Sequence, residues 1–241
     1  MSIAAQVYES VMRLEPGRIF GCSDMPGYRD APLAVVRALG RLADKNKLKR
    51  LAKGRYYVPK EGMLGFLKPA DSELVRNSIY RNGRLIGYVT GVALYNRLGL
   101  TTQTPKTVTV AINGARQQKD YGTIRIKLVP SRAPVRRSDV PLLQYLDALR
   151  DLKKIPDAYP TEALELIAGR LSSLTNGQIE SLQRLALKYY NAATRAVLGL
   201  ILSRIGQTLD PALQGSLNPL TRYDIGLDSK RWADKSAWFI R

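Results

Sequence analysis

The chain has 241 residues, 45% of them hydrophobic and 24% charged, enough for a buried core and comfortable for two small domains. Its 38 Lys and Arg against 20 Asp and Glu give a formal charge of +18, which points to an anionic partner: nucleic acid, a membrane surface or an acidic protein. The single cysteine, Cys22, rules out an internal disulfide, and the absence of histidine removes His-based acid–base and nucleophile chemistry and the His-containing zinc sites.

Ile3, Val7, Val11 and Leu14 recur at helical spacing, with Ser2 as a cap, so a helix is expected over 3–14. The segment EPGRIFG stops it and is extended around Ile19 and Phe20, and CSDMPG reads as a short turn or a single helical turn. A second helix follows in RDAPLAVVRALGRLADKN. Asp30 is its expected cap, Pro32 sits in its first turn, and Val35, Leu39 and Leu42 share a face. Arg37 and Arg41 stand one turn apart on the far side, with Lys45 near that edge. The period then changes from 3.6 to 2 at Leu48. The runs 48–51 and 55–58 suggest a β-hairpin turning at Ala52-Lys53-Gly54. Helix, turn, helix, hairpin is the order of a winged helix-turn-helix, and KPADSE at 68–73 is the expected boundary. The domains are thus read as 1–68 and 74–241.

The second domain is read as a larger mixed unit. GYVTGVALYNRLGL suggests a strand and a helix, and 106–112 and 122–129 alternate as strands around a polar loop. Helices are expected at 139–152, 161–174, 178–190 and 192–205. The tail holds Tyr223, Trp232, Trp238 and Phe239, too much aromatic surface to leave in water, so it is expected to dock on its own domain or on a partner. The fold class is α+β: an N-terminal winged helix-turn-helix, then a short antiparallel sheet and a helical C-terminal part.

Charge is concentrated early. Residues 106–137 carry eight basic side chains and one acidic one, and residues 45–60 carry seven basic side chains and no acidic one. Arg37 and Arg41 fall where a helix-turn-helix presents side chains to the major groove, and arginine matches guanine O6 and N7. Lys49, Arg50, Lys53 and Arg55 surround the hairpin, whose task would be to meet phosphates. With Lys45 these are the candidate DNA-binding residues. One of Tyr56 and Tyr57 is expected in the core, leaving the other for the sugar–phosphate backbone. The cluster Lys106, Arg116, Lys119, Arg125, Lys127, Arg132, Arg136 and Arg137 reads either as an idle basic face or as further contacts to DNA or an acidic partner. Asp139, Asp147, Glu162 and Glu165 read as helix N-terminal and surface acids. There is no P-loop and no G-x-G-x-x-G opening a helix. No catalytic residue, metal ligand or cofactor is expected, nor a membrane span, and the protein is read as cytoplasmic and not an enzyme.

The stretches APLAVVRALGRLADKNKLKRLAKGRYYVP, TGVALYNRLGLTTQTP and YYNAATRAVLGLILSRIG, in this order, resemble the AbiEi-type antitoxins of type IV toxin–antitoxin systems, closest to a DUF6088-like branch. The matching positions include Ala93-Leu94, Leu98-Gly99-Leu100-Thr101, Gln103, Pro105, Arg195-Ala196 and Leu198-Gly199, and the tail LNPLTRYDIGL with Trp238. The resemblance covers nearly the whole chain. It implies a winged helix that represses its own operon by binding inverted repeats at the promoter. It further implies a C-terminal domain needed to neutralise a nucleotidyltransferase-like toxin, in better-studied members without a stable complex. On this resemblance Arg37, Arg41 and Lys45 lie on the recognition helix, and Lys53, Gly54 and Arg55 on the wing. The other readings are a winged-helix regulator whose C-terminal domain senses a ligand or oligomerises, and an enzyme working with carboxylates or lysines alone.

Overall fold

A computed structural model describes residues 1–63 and 65–241. The chain is α+β and divides into two compact units, Met1–Ile86 and Gly87–Arg241. The boundary expected at 68–73 falls inside the first unit, because the helix that follows it is tied back to the first strand.

In the first unit, α1 (Ile3–Met12) is capped by Ser2, whose Oγ accepts from the Ala5 N–H at 3.3 Å, and it buries Val7 and Val11. Strand β1 (Ile19–Gly21) leads into a 3-10 turn, Cys22–Asp24. Helix α2 (Pro32–Asp44) begins on Pro32, whose missing N–H costs nothing there. Its cap is Ala31, not Asp30, and makes no side-chain bond. Val35, Ala38, Leu39 and Leu42 form its buried stripe. The helix stops at Lys45, and Asn46 takes a left-handed φ of 57° that turns the chain into β2 (Lys49–Ala52) and β3 (Arg55–Tyr57). Gly54, at φ 68°, closes that hairpin, a conformation few other residues take without strain.

The three strands form an antiparallel sheet in the order β1-β3-β2, with Tyr57 opposite both Ile19 and Lys49. Placing β3 in the centre decides the fate of its tyrosines. Tyr56 joins the core of Val7, Val11, Phe20, Leu39 and Leu48, its ring stacked on Phe20 at 6.2 Å between centroids. Tyr57 points to the opposite face and is also buried, at 8% exposure. Neither tyrosine is free for a backbone contact, contrary to the sequence expectation.

Two hairpins were not expected. The first is a ribbon of β4 (Lys60–Gly62) and β5 (Gly65–Leu67). After α3 (Asp71–Ile79), β6 (Tyr80–Arg81) and β7 (Arg84–Leu85) pair across Asn82-Gly83, both at positive φ as a two-residue turn requires. Helix α3 belongs to this unit because Glu73 Oε1 accepts from the Ile19 N–H at 2.9 Å. Arg76 and Arg18 hold the same carboxylate.

The second unit opens with β8 (Gly87–Thr90) and α4 (Val92–Arg97), followed by β9 (Thr107–Ile112), β10 (Gln117–Asp120) and β11 (Arg125–Pro130). The sheet order is β10-β11-β9-β8. The two strands expected around a polar loop do pair, but in parallel, with Arg125 opposite Thr107. Part of that loop is β10, antiparallel to β11 at the sheet edge, which lets the chain reverse before β11 returns beside β9.

Helices α5 (Val140–Arg150), α6 (Pro160–Leu171), α7 (Asn176–Tyr189), α8 (Ala192–Arg204) and α9 (Pro211–Gly215) follow. Helix α8 buries every residue from Ala196 to Leu202, the mark of a helix enclosed on all sides. The aromatic tail docks on its own unit: Trp232 is 0% exposed and Trp238 5%. A Cβ on Gly199 of α8 would lie 2.1 Å from the Trp238 ring, so only glycine lets the indole approach.

Asp147, read from sequence as a surface acid, is instead 2% exposed. It accepts from Thr90 Oγ1 at 2.7 Å, Tyr190 OH at 2.9 Å, Tyr88 OH at 3.1 Å and Arg150 Nη1 at 2.9 Å, joining strand β8 to helices α5 and α7. The charge is buried because four donors replace the water it loses. No described helix is long and apolar enough to cross a membrane.

Candidate nucleic-acid interface

The buried stripe of α2 leaves its far side open. Arg37 and Arg41 are exposed there beside Leu33 at 72% and Val36 at 42%. Between them Gly40 leaves a gap, since a Cβ on it would meet nothing within 4 Å. Among the described residues, neither arginine has an ion pair or side-chain hydrogen bond, and the same holds for Lys45 and Lys53. Four of the seven predicted residues are therefore uncommitted cations.

The other three are engaged to different degrees. Arg50 stays exposed while its guanidinium lies 5.6 Å from the centre of the Tyr56 ring. Arg55 turns inward toward Asp24, with Nη1 at 3.6 Å from Oδ2, and Asp24 also accepts from the Gly21 N–H at 2.6 Å. Lys49 donates to Asn46 Oδ1 at 2.7 Å and sits 4.6 Å over the Phe66 ring. Lys49 and Arg55 thus brace the unit rather than project from it. The strand alternation that separates Tyr56 from Tyr57 also separates Arg50 from Lys49.

A cleft of about 440 Å³ opens between Val36 of α2 and the β2–β3 hairpin, lined by Cys22, Tyr28, Arg50, Lys53 and Arg55. Burial pushes the Cys22 thiol up, more than the positive charge of Arg55 and Arg50 pulls it down. Three cations line this concave surface, one of them, Arg55, paired with Asp24 beside it, an arrangement that favours an anion.

In the second unit, strand alternation puts Arg125 and Lys127 on one sheet face with Thr107 and Thr109. Arg125 is bonded to Asp120 at 2.8 Å. Lys106, Arg116, Arg132, Arg136 and Arg137 are exposed in the connecting segments, and Lys119 is half-buried on β10. Among the described residues no group of Cys, Asp and Glu has the arrangement to hold a metal ion.

The ribbon β4–β5, with Lys60, Met63 and Phe66, went unread in the sequence. Its signal is KEGMLGFLK, two short runs around a glycine-bounded turn, and the Asn82-Gly83 hairpin is marked just as plainly.

Comparison with known families matches residues 6–134 to DUF6088, described as a family of unknown function. The match takes in nearly all of the first unit and the sheet of the second, and covers more than half of the chain. No curated protein matches it.

Proposed function

The chain belongs to the DUF6088 family, whose function is unknown, and from the motifs that resemble the AbiEi-type antitoxins we propose that this member is a DNA-binding antitoxin of a type IV toxin–antitoxin system. Its first unit is a winged helix-turn-helix that binds double-stranded DNA at its own promoter and represses the operon. Helix α2 is the recognition helix and the β2–β3 hairpin the wing. Its second unit serves to counter a nucleotidyltransferase-like toxin, without requiring a stable complex. The protein acts in the cytoplasm.

The observation that carries the DNA reading is the outer face of α2. Two exposed arginines one turn apart have no acidic partner among the described residues, on the helix that immediately precedes a hairpin with Lys53 at its turn. Unpaired arginines at that spacing suit base edges, and the neighbouring exposed Leu33 and Val36 suit thymine methyl groups. Lys45, Arg50 and Lys53 then contact phosphates. The antitoxin reading rests on the order of sequence motifs.

A gel-shift titration against the protein's own upstream region tests the DNA reading. With Lys45, Arg50 and Lys53 on phosphates, log affinity should fall against log salt with a slope of about −2.7. Arg37→Ala and Arg41→Ala should each lose ~1–3 kcal/mol on the specific site and much less on random duplex. Equal losses on both would make them phosphate contacts, and a flat salt dependence would sink the reading. For the antitoxin part, the gene immediately downstream should arrest growth alone and cease to do so when this protein is co-expressed. A neighbour that is harmless either way would overturn it.

A further inference from the structure

The ribbon β4–β5 stands open on both faces: every described residue of its two strands is exposed. Met63 at its tip is 104% exposed, Phe66 45% and Leu67 50%. A two-stranded ribbon of three residues a side gains little stability from its own pairing. Keeping large apolar side chains on it in water is costly unless they meet a partner. The partner's charge is indicated by what surrounds them. Lys60 pairs with Leu67 at the base of the ribbon and Lys68 follows there, while Lys49 caps the Phe66 ring, so three cations outnumber the one carboxylate of the ribbon, Glu61, opposite Phe66. Lys49 is itself held by Asn46, at the end of α2, so the ribbon lies beside the C-terminal end of the helix that carries Arg37 and Arg41.

We infer that the β4–β5 ribbon is a second DNA-contacting element, whose Met63 tip enters the minor groove while Lys60 and Lys68, side by side at its base, reach the phosphates at the groove's rim. This rests on the DNA-binding reading of α2 and extends it. The minor groove follows from the side chains. The described residues at the tip, Gly62, Met63 and Gly65, offer no side-chain donor or acceptor with which to read the distinct hydrogen-bonding code of the major groove. An unbranched apolar side chain at an exposed tip is a minor-groove wedge. Gly62 and Gly65 face each other across the turn and keep the tip narrow, as a groove of about 6 Å demands.

The test compares the full chain with Met63→Ser, a neutral change, on a fluorescent duplex of its own upstream region, followed by anisotropy. Both should melt alike, since Met63 is fully exposed. Met63→Ser should bind about tenfold more weakly, the loss expected from leaving one methionine unburied. Its salt slope should stay unchanged, whereas Lys60→Gln and Lys68→Gln should each flatten the slope by about one. Netropsin, which occupies the minor groove, should cost the wild type a larger factor in affinity than Met63→Ser. Wild-type affinity in Met63→Ser, with wild type binding the duplex, overturns the ribbon's role and leaves that of α2 standing. A wild type that binds no duplex removes both. A Met63→Ser variant that binds DNA normally but no longer counters the downstream gene product would make the ribbon a protein-docking element and overturn the inference.

Discussion

Replacing Asp147 with alanine should unfold the second unit far more easily, and the structure gives the size. Tyr88, Thr90 and Tyr190 are 2%, 4% and 4% exposed, and each loses its acceptor. Tyr190 retains only a long bond to the Leu143 carbonyl at 3.4 Å. An unmatched buried donor costs ~1–3 kcal/mol, and three of them exceed what is regained by no longer burying a carboxylate. Arg150 keeps Asp151 as partner and so stays satisfied. The net loss should be about 2–5 kcal/mol, the cost of the stranded donors less what is regained by no longer burying the carboxylate. For a unit of this size that is a fall in Tm of roughly 10 °C. Both tryptophans of the chain, Trp232 and Trp238, lie in this unit, so their fluorescence follows its unfolding without interference from the other. Tyr190→Phe, which deletes one donor and strands none, should cost only ~1 kcal/mol. A loss below ~1 kcal/mol in Asp147→Ala would refute the view that this carboxylate is the polar hub joining strand β8 to the helices.

Gly199→Ala should destabilise the same unit by at least ~1–3 kcal/mol, because the added methyl falls inside the Trp238 ring; a red-shifted emission at low denaturant would show the indole displaced. Glu73 is pushed up by burial, but its bonds to Arg76 and the Ile19 amide outweigh this and hold its carboxyl below the ordinary range. Its contribution is therefore present above the unfolded glutamate pKa and lost as pH falls through the depressed folded value. Glu73→Gln should accelerate hydrogen exchange at the Ile19 amide near neutral pH, a difference that closes in acid. Cys22, 8% exposed and with its thiol pushed up by burial, should react with iodoacetamide at pH 8 only slowly until the first unit unfolds, and rapid alkylation of the native protein would contradict that burial.

Local chemistry made much of the chain legible. The stripe of Val35, Leu39 and Leu42 marks α2, Pro32 its start and Gly54 the hairpin turn, and the four long helices of the second unit end within a few residues of where periodicity puts them. These signals depend on neighbours a few positions apart. The misread features depend on distant partners. Asp147 looks like any helical acid until Tyr88, Thr90 and Tyr190 arrive from 43 to 59 residues away. Nothing near Glu73 announces a bond to Ile19, so the boundary was placed before α3. The candidate interface divides the same way. Sequence marked seven cations, but which of them are committed depends on Asp24, Asn46 and Phe66, which only folding brings beside Arg55 and Lys49.

The sequence by itself determined the positive charge, the first two helices with the hairpin that follows them, the four long helices of the second unit, and the helix face that carries Arg37 and Arg41, because these follow from composition and from periods of 3.6 and 2. Only the tertiary structure decided that both Tyr56 and Tyr57 are buried, that β9 and β11 run parallel, and that a ribbon projects at Met63. Each depends on which segment lies on the other side of a strand, and that is settled by packing across the whole unit rather than by any residue's neighbours in the chain.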